Sequence, residues 1–305
     1  MQKYSRICLI VSILLSMNAL NGGSQNTLNL MPVPTEIILK DGVFRLDESF
    51  ALKIDGPADS RLYRAATQML RRLAGRTGYF LPQDYITANS NPENPQMVVK
   101  ISRIGSLKLF EDESYSLIIT DKQASLIAET DIGALYGLET FLQLLSIDKD
   151  GYYFPKCEIK DQPRFPWRGL MIDASRHFMP VDVIKRNLDG MASVKLNVFH
   201  WHLADDQGFR VECNSWPKLH ELGSDGFYYT QDQIKDIINY AADRGIRVIP
   251  EFDVPAHATS WLVAYPELGS APGPYTIERG WGIKDPTINP VNEFTYQFLD
   301  KFFAE

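Results

Sequence analysis

Apolar positions follow two different rhythms along this chain, and the change between them divides it. From 28 to 160, short apolar or alternating runs at 37–39, 43–46, 50–54, 97–101, 114–120 and 124–129 predict strands. The two Pro residues in MPVP at 31–34 predict an extended entry. Thr120-Asp121-Lys122-Gln123 reads as the tight turn of a hairpin. Two stretches instead carry helical spacing. Leu62, Ala66, Met69, Leu70 and Leu73 line one face of 60–75, with Gly75 as the stop. Leu135, Leu138, Leu142 and Leu145 line one face of 132–146. The mixture predicts a smaller α+β domain over 28–160. It clusters no acids, His or Cys, so it reads as a packing module that buttresses the carboxy-terminal half of the chain.

The segment 161–166, DQPRFP, carries two Pro residues and little periodicity, as a boundary should. Beyond it, strand and helix signals alternate. The run 168–173 predicts a strand tipped by Ser175, Arg176 and His177. Pro180 opens a helix with Ile184, Leu188, Met191 and Ala192 at helical spacing. A second strand, 197–203, is tipped by Asp205 and Asp206. Thr230 and Gln233 form a capping box for a helix that buries Ile234, Ile237, Ile238, Ala241 and Ala242 and stops at Gly245. A third strand, 246–253, is tipped by Glu251, Asp253 and then His257. A long aperiodic loop reaches Pro290, and 292–305 is amphipathic with Phe294, Phe298, Phe302 and Phe303 predicted inward. Repeated βα units with polar strand tips predict a (β/α)8 TIM barrel whose site lies at those tips. Three units are present where closure needs about eight. The barrel over 165–305 is therefore predicted to be incomplete, part of a longer protein cut soon after its third barrel helix.

Composition narrows the partners. The formal net charge is −7 with no long basic run, which argues against nucleic acid. Aromatic residues make up 11%, which suits a stacking surface. Lys3 and Arg6 precede an apolar stretch at 7–15 that is too short to span a bilayer, and small or polar residues follow to 24. Residues 1–24 thus read as a signal peptide, which predicts a secreted or periplasmic protein without a membrane span. Cys8 falls in that segment, leaving Cys157 and Cys213 as expected free thiols.

The candidate chemistry sits at the strand tips. His200 and His202 alternate along one strand and share a face, a pattern also used to hold zinc, though a metal site needs three or four ligands. Asp205 and Asp206 are adjacent, so an extended chain would point them to opposite sides. Asp205 and His257 come from neighbouring strand ends and could form a carboxylate–imidazole pair that positions a proton. Arg176 offers a fork of donors for vicinal hydroxyls or a carboxylate, or a salt bridge to Asp205 or Glu251. Two other readings stay open: a metal-dependent barrel hydrolase using His200, His202 and Asp253, and a non-catalytic carbohydrate-binding protein.

The chain resembles glycoside hydrolase family twenty, the β-N-acetylhexosaminidases. The motifs are RGLMIDASRHF at 168–178, KLNVFHWHLADDQGFR at 195–210, RGIRVIPEFDVPAHATSW at 244–261 and INP at 288–290. IGALYGLETFLQLL at 132–145 is similar to the family's accessory domain. The resemblance implies hydrolysis of terminal β-linked N-acetylhexosamine by a retaining mechanism in which the substrate's own acetamido oxygen attacks C1. It implies that Arg176 binds the sugar's 3- and 4-hydroxyls. Asp205 and His257 would form a relay to the general acid, with Glu251 and His202 as further substrate-binding positions. No metal and no cofactor is implied, and the partner is an oligosaccharide or glycan ending in N-acetylhexosamine. Ala256 stands where the family usually has Gly, so a left-handed backbone there would be strained. The family's Asp–Glu pair follows the fourth strand and is expected beyond residue 305, so the 305-residue chain alone is expected to be inactive.

Overall fold

The computed structural model describes residues 28–305; the predicted signal segment, with Cys8, lies outside the described residues. The first domain is one seven-stranded sheet backed by two helices. Its strands are β1 (Glu36–Arg45), β2 (Leu52–Asp55), β3 (Met97–Arg103), β4 (Tyr115–Ile119), β5 (Ala124–Thr130), β6 (Ser146–Asp148) and β7 (Gly151–Asp161). They run in the order β1-β7-β4-β5-β3-β2, with β6 paired to β7. The helices are α1 (Ser60–Thr77) and α2 (Asp131–Gln143).

Three expectations are corrected in this domain. The runs 37–39 and 43–46 are one strand, β1, whose register slips between Leu39 and Val43. Gly42, at φ +101°, lets the extra residues loop out. Helix α1 does not stop at Gly75; it runs to Thr77, and Gly78 caps it in the left-handed conformation. The sequence also hid β6 and β7. Pro155 and the charges of β7 blur its alternation, although Phe154, Cys157 and Ile159 are buried.

Helix α2 is buried nearly all round because it lies between this sheet and the second domain. Two glycines allow that fit. A Cβ on Gly133 would meet the Ser114 carbonyl oxygen at 2.3 Å, and one on Gly137 would meet Leu126 at 2.2 Å.

The second domain contains β8 (Gly169–Asp173), α3 (Val181–Ser193), β9 (Val198–Asp205), β10 (Gly208–Phe209), α4 (Lys218–Leu222), α5 (Gln231–Ala242), β11 (Arg247–Phe252), α6 (Thr259–Ala264) and α7 (Glu293–Ala304). Strands β8, β9 and β11 are parallel with β9 in the middle, and β10 folds back on the tip of β9. This is the partial barrel expected from the βα repeats. Helices α3 and α5 cover one face, packing Ile184, Leu188, Met191, Ile237 and Ala241 against Phe199, Trp201 and Leu203. Strand alternation then turns His200 and His202 to the opposite, barrel-interior face. The capping box at Thr230 and Gln233 forms as expected. The long loop before Pro290 contains the short helix α6, which the sequence did not reveal. In α7, Phe298 and Phe302 are buried, but Phe303 is 60% exposed, contrary to its predicted inward position. Cys157 and Cys213 are buried and unpaired. No helix among the described residues is long and apolar enough to cross a membrane.

A buried polar cluster joins the two domains. Lys195, in the turn before β9 at φ +60°, donates to Asp161 Oδ2 and the Tyr115 hydroxyl, each at 2.8 Å. Arg168 pairs with Glu113 at 2.8 Å, and Asn197 donates to the same carboxylate.

Candidate active site

The register of the parallel strands sets the site. Asp173, His202 and Glu251 lie side by side across β8, β9 and β11, toward the carboxy-terminal ends of the strands. The tips therefore reach one mouth together. Beyond β8 the chain turns, and Asp173 Oδ1 accepts from the Arg176 amide at 2.9 Å. That turn aims the Arg176 guanidinium across the sheet. Its Nη1 reaches Asp173 at 2.6 Å, and its Nη2 reaches Asp205 Oδ2 at 2.5 Å.

Asp205 has no exposed surface on its side chain. Besides Arg176, its carboxylate meets His202 Nε2 at 3.0 Å and accepts from the Asp206 amide at 2.6 Å. Burial alone would push this acid up, but His202, the amide and Arg176 outweigh it and hold it below the usual range.

Asp206 was expected to face away from Asp205, and it does not. The extended geometry ends at Asp205, and Asp206 begins the tight turn into β10, which swings its carboxylate back. His257 Nδ1 lies 3.0 Å from Asp206 Oδ2 and 3.4 Å from Asp205 Oδ1. The closer partner of His257 is therefore Asp206, with Asp205 behind it. Asp206 Oδ1 is fixed by the Thr259 amide at 3.0 Å and hydroxyl at 2.7 Å, at the start of α6. Ser260 Oγ donates to the Asp205 carbonyl at 2.6 Å. Thr259 and Ser260 were missed; their signal was two hydroxyl residues just past His257.

The left-handed residue in this loop is His257, at φ +50°, not Ala256. The methyl of Ala256 therefore carries no left-handed penalty. His257 holds a sparsely populated conformation, and Asp206 fixes its ring.

His202, expected as a substrate-binding position, lies inside the cluster. It is 3% exposed, enclosed between Asp205 and Glu251, and supports the acids from below. Its Nδ1 lies 2.9 Å from Glu251 Oε2, at ion-pair range but not aligned as a hydrogen bond. Burial opposes its charge, yet the two carboxylates outweigh burial and raise it to about 9. Glu251 is half-buried and also holds His200 Nε2 at 2.6 Å.

The three-ligand zinc reading does not assemble: His200, His202 and Asp253 form no ligand cluster among the described residues. The group with that spacing is Asp205, Asp206 and His257, whose ligand atoms lie within 4.8 Å of one another. Those oxygens already serve Arg176, His202, the Asp206 amide and Thr259, so a cation would have to displace built donors. The set fits proton handling better than metal binding.

Arg210 was also missed as a structural residue. It is buried, and its guanidinium donates to the carbonyls of Ala174, Ser175, Gln207, Ser224 and Phe227. It thereby ties the Arg176 turn to the β10 turn. A Cβ on Gly208 would lie 2.1 Å from the guanidinium carbon, so any side chain there would force Arg210 out of this position.

Two family models cover nearly all of the described chain. Residues 165–305 match the glycosyl hydrolase family 20 catalytic domain, and residues 27–162 match domain 2 of the same family. The chain belongs to glycosyl hydrolase family 20. Among family 20 relatives, a β-hexosaminidase of Porphyromonas gingivalis is 32% identical over 91% of this chain and 37% of its own length. β-Hexosaminidase subunit A2 of Dictyostelium discoideum is 33% identical over 99% of this chain and 54% of its own length. The X-ray structure of Flavobacterium johnsoniae chitobiase superposes with TM-score 0.89 and 51% identity, over 91% of this chain and 42% of that one. A family 20 exo-β-N-acetylglucosaminidase of Vibrio harveyi, solved with N-acetylglucosamine, gives TM-score 0.72 and 30% identity, over 91% of this chain and 44% of that one. The chain thus spans roughly half the length of the relatives it matches, or less. Arg176, Asp205, Asp206 and His257 all lie in the part that matches the family 20 catalytic domain.

Proposed function

We propose that this protein is a β-N-acetylhexosaminidase that hydrolyses terminal non-reducing N-acetylhexosamine from oligosaccharides or glycans. The observation that carries the reading is the convergence of Arg176 and His257 on the Asp205–Asp206 pair at one strand-tip mouth. Arg176 has two nitrogens engaged by Asp173 and Asp205, which fixes the guanidinium plane and leaves its remaining N–H groups for vicinal hydroxyls. Asp206 accepts from His257 Nδ1, which orients the ring and leaves its other nitrogen without a partner among the described residues. That nitrogen can hold and tune a proton donor. None of the described residues is assigned as the acid that protonates the leaving oxygen.

The reaction proposed is the family's retaining, substrate-assisted one, in which the 2-acetamido oxygen attacks C1. Turnover of 4-nitrophenyl N-acetyl-β-D-glucosaminide against 4-nitrophenyl β-D-glucoside by the full gene product tests it. Cleavage of the first and not the second is expected. Equal cleavage of both would remove the acetamido group from the mechanism.

We further propose export to the periplasm or the medium, on the strength of Lys3, Arg6 and the apolar 7–15 stretch. Amino-terminal sequencing of the mature protein tests this, and a start at Met1 would contradict it.

A further inference from the structure

The loop between α6 and α7 leaves one indole at the mouth of the site. Trp281 is 83% exposed, and the Arg176 guanidinium carbon lies 5.7 Å from its ring centroid. The loop is tied down on both sides of that ring. Gln207 Nε2, in the turn that carries Asp206, donates to the Gly280 carbonyl at 2.8 Å, and Arg279 pairs with Asp225 at 2.6 Å. Gly282 follows at φ +121°, a conformation only glycine adopts freely, and turns the backbone immediately after the indole.

An indole face this open beside a guanidinium is available to an apolar surface that also carries hydrogen-bonding groups. A pyranose carries hydroxyls on its rim and C–H groups on its faces. A guanidinium edge beside an open aromatic face is the complement of that pattern. We propose that Trp281 is a substrate-contacting residue: its indole packs against the apolar C–H surface of the same terminal sugar whose hydroxyls Arg176 grips. The inference rests on the glycosidase reading and extends it, because it makes affinity depend on a loop outside the strand tips.

The test uses the full gene product with Trp281→Ala and Trp281→Phe. Both change an exposed side chain and leave the core intact. Two quantities are measured: the Kd for N-acetylglucosamine by calorimetry, and KM and kcat for 4-nitrophenyl N-acetyl-β-D-glucosaminide. For Trp281→Ala, KM and Kd are expected to rise about tenfold with kcat within about twofold, and Trp281→Phe is expected to recover most of the loss. Unchanged KM and Kd in Trp281→Ala would overturn the proposal. So would a large fall in kcat at constant KM, which would place the ring behind Arg176 and not on the sugar. Wild-type protein that binds the sugar without hydrolysing it would remove the glycosidase reading while the Kd comparison still decides Trp281. Protein that does neither removes both.

Discussion

Arg176 and Asp205 meet at 2.5 Å, one from the turn beyond β8 and one from the tip of β9. Asp205 is fully enclosed, so the pair is a fixed element of the mouth and not a surface contact. Arg176→Lys keeps the positive charge but loses the planar fork that spans Asp173 and Asp205. It is expected to lower kcat/KM on N-acetyl-β-glucosaminides by about 10²-fold, about 2.7 kcal/mol, through loss of the two-carboxylate fork. Asp205→Ala is expected to be worse, because it also strips His202 of a partner. Steady-state kinetics of the two variants checks both.

Much of this site was legible in the sequence because strand tips are where a βα barrel keeps its chemistry. Arg176, Asp205 and His257 were found that way, and the structure brings them together. The swing of Asp206 was not legible, since alternation stops having meaning where β9 gives way to a two-residue turn. The burial of His202 was hidden too. The same alternation that put it with His200 on the inner face cannot say how deep each lies. Strand β7 was lost for a different reason: Pro155 and its charges break the period, while three-dimensional pairing with β1 and β4 holds it.

The stability of the protein should depend on pH through His202. Its folded value, about 9, stands above the ordinary histidine value of 6.5. A raised value means that the folded state holds the proton more tightly than the unfolded chain. The stabilisation is therefore complete below about 6.5 and lost as pH rises toward 9. Urea midpoints from pH 6 to 9.5 are expected to fall across that window, and His202→Gln is expected to flatten the fall. A midpoint that rises with pH would contradict the assignment.

Arg210 should matter more for folding than for chemistry. Arg210→Met removes the side-chain donor of the Ala174, Ser175 and Phe227 carbonyls in a buried place. A loss of roughly 3 kcal/mol is expected, at the upper end for single substitutions. Denaturant unfolding measures it.

The joint between the domains makes a similar prediction with a built-in control. Lys195→Met leaves the Asp161 carboxylate buried without its cation, and a loss of about 3–5 kcal/mol is expected. Adding Asp161→Leu removes the stranded charge, so the double variant is expected to be more stable than Lys195→Met alone. Equal stability of Lys195→Met and the double variant would mean that Asp161 without its cation carries no penalty, which would contradict the stranded-charge account.

Asp206 and His257 are central to the proposed chemistry, acting as one proton-handling unit on the sugar. A double-mutant cycle on kcat/KM for 4-nitrophenyl N-acetyl-β-D-glucosaminide, with Asp206→Asn and His257→Phe, tests this most directly. Each single change is expected to cost nearly as much as both together, as groups that work as a unit do. Losses that simply multiply in the double variant would contradict it.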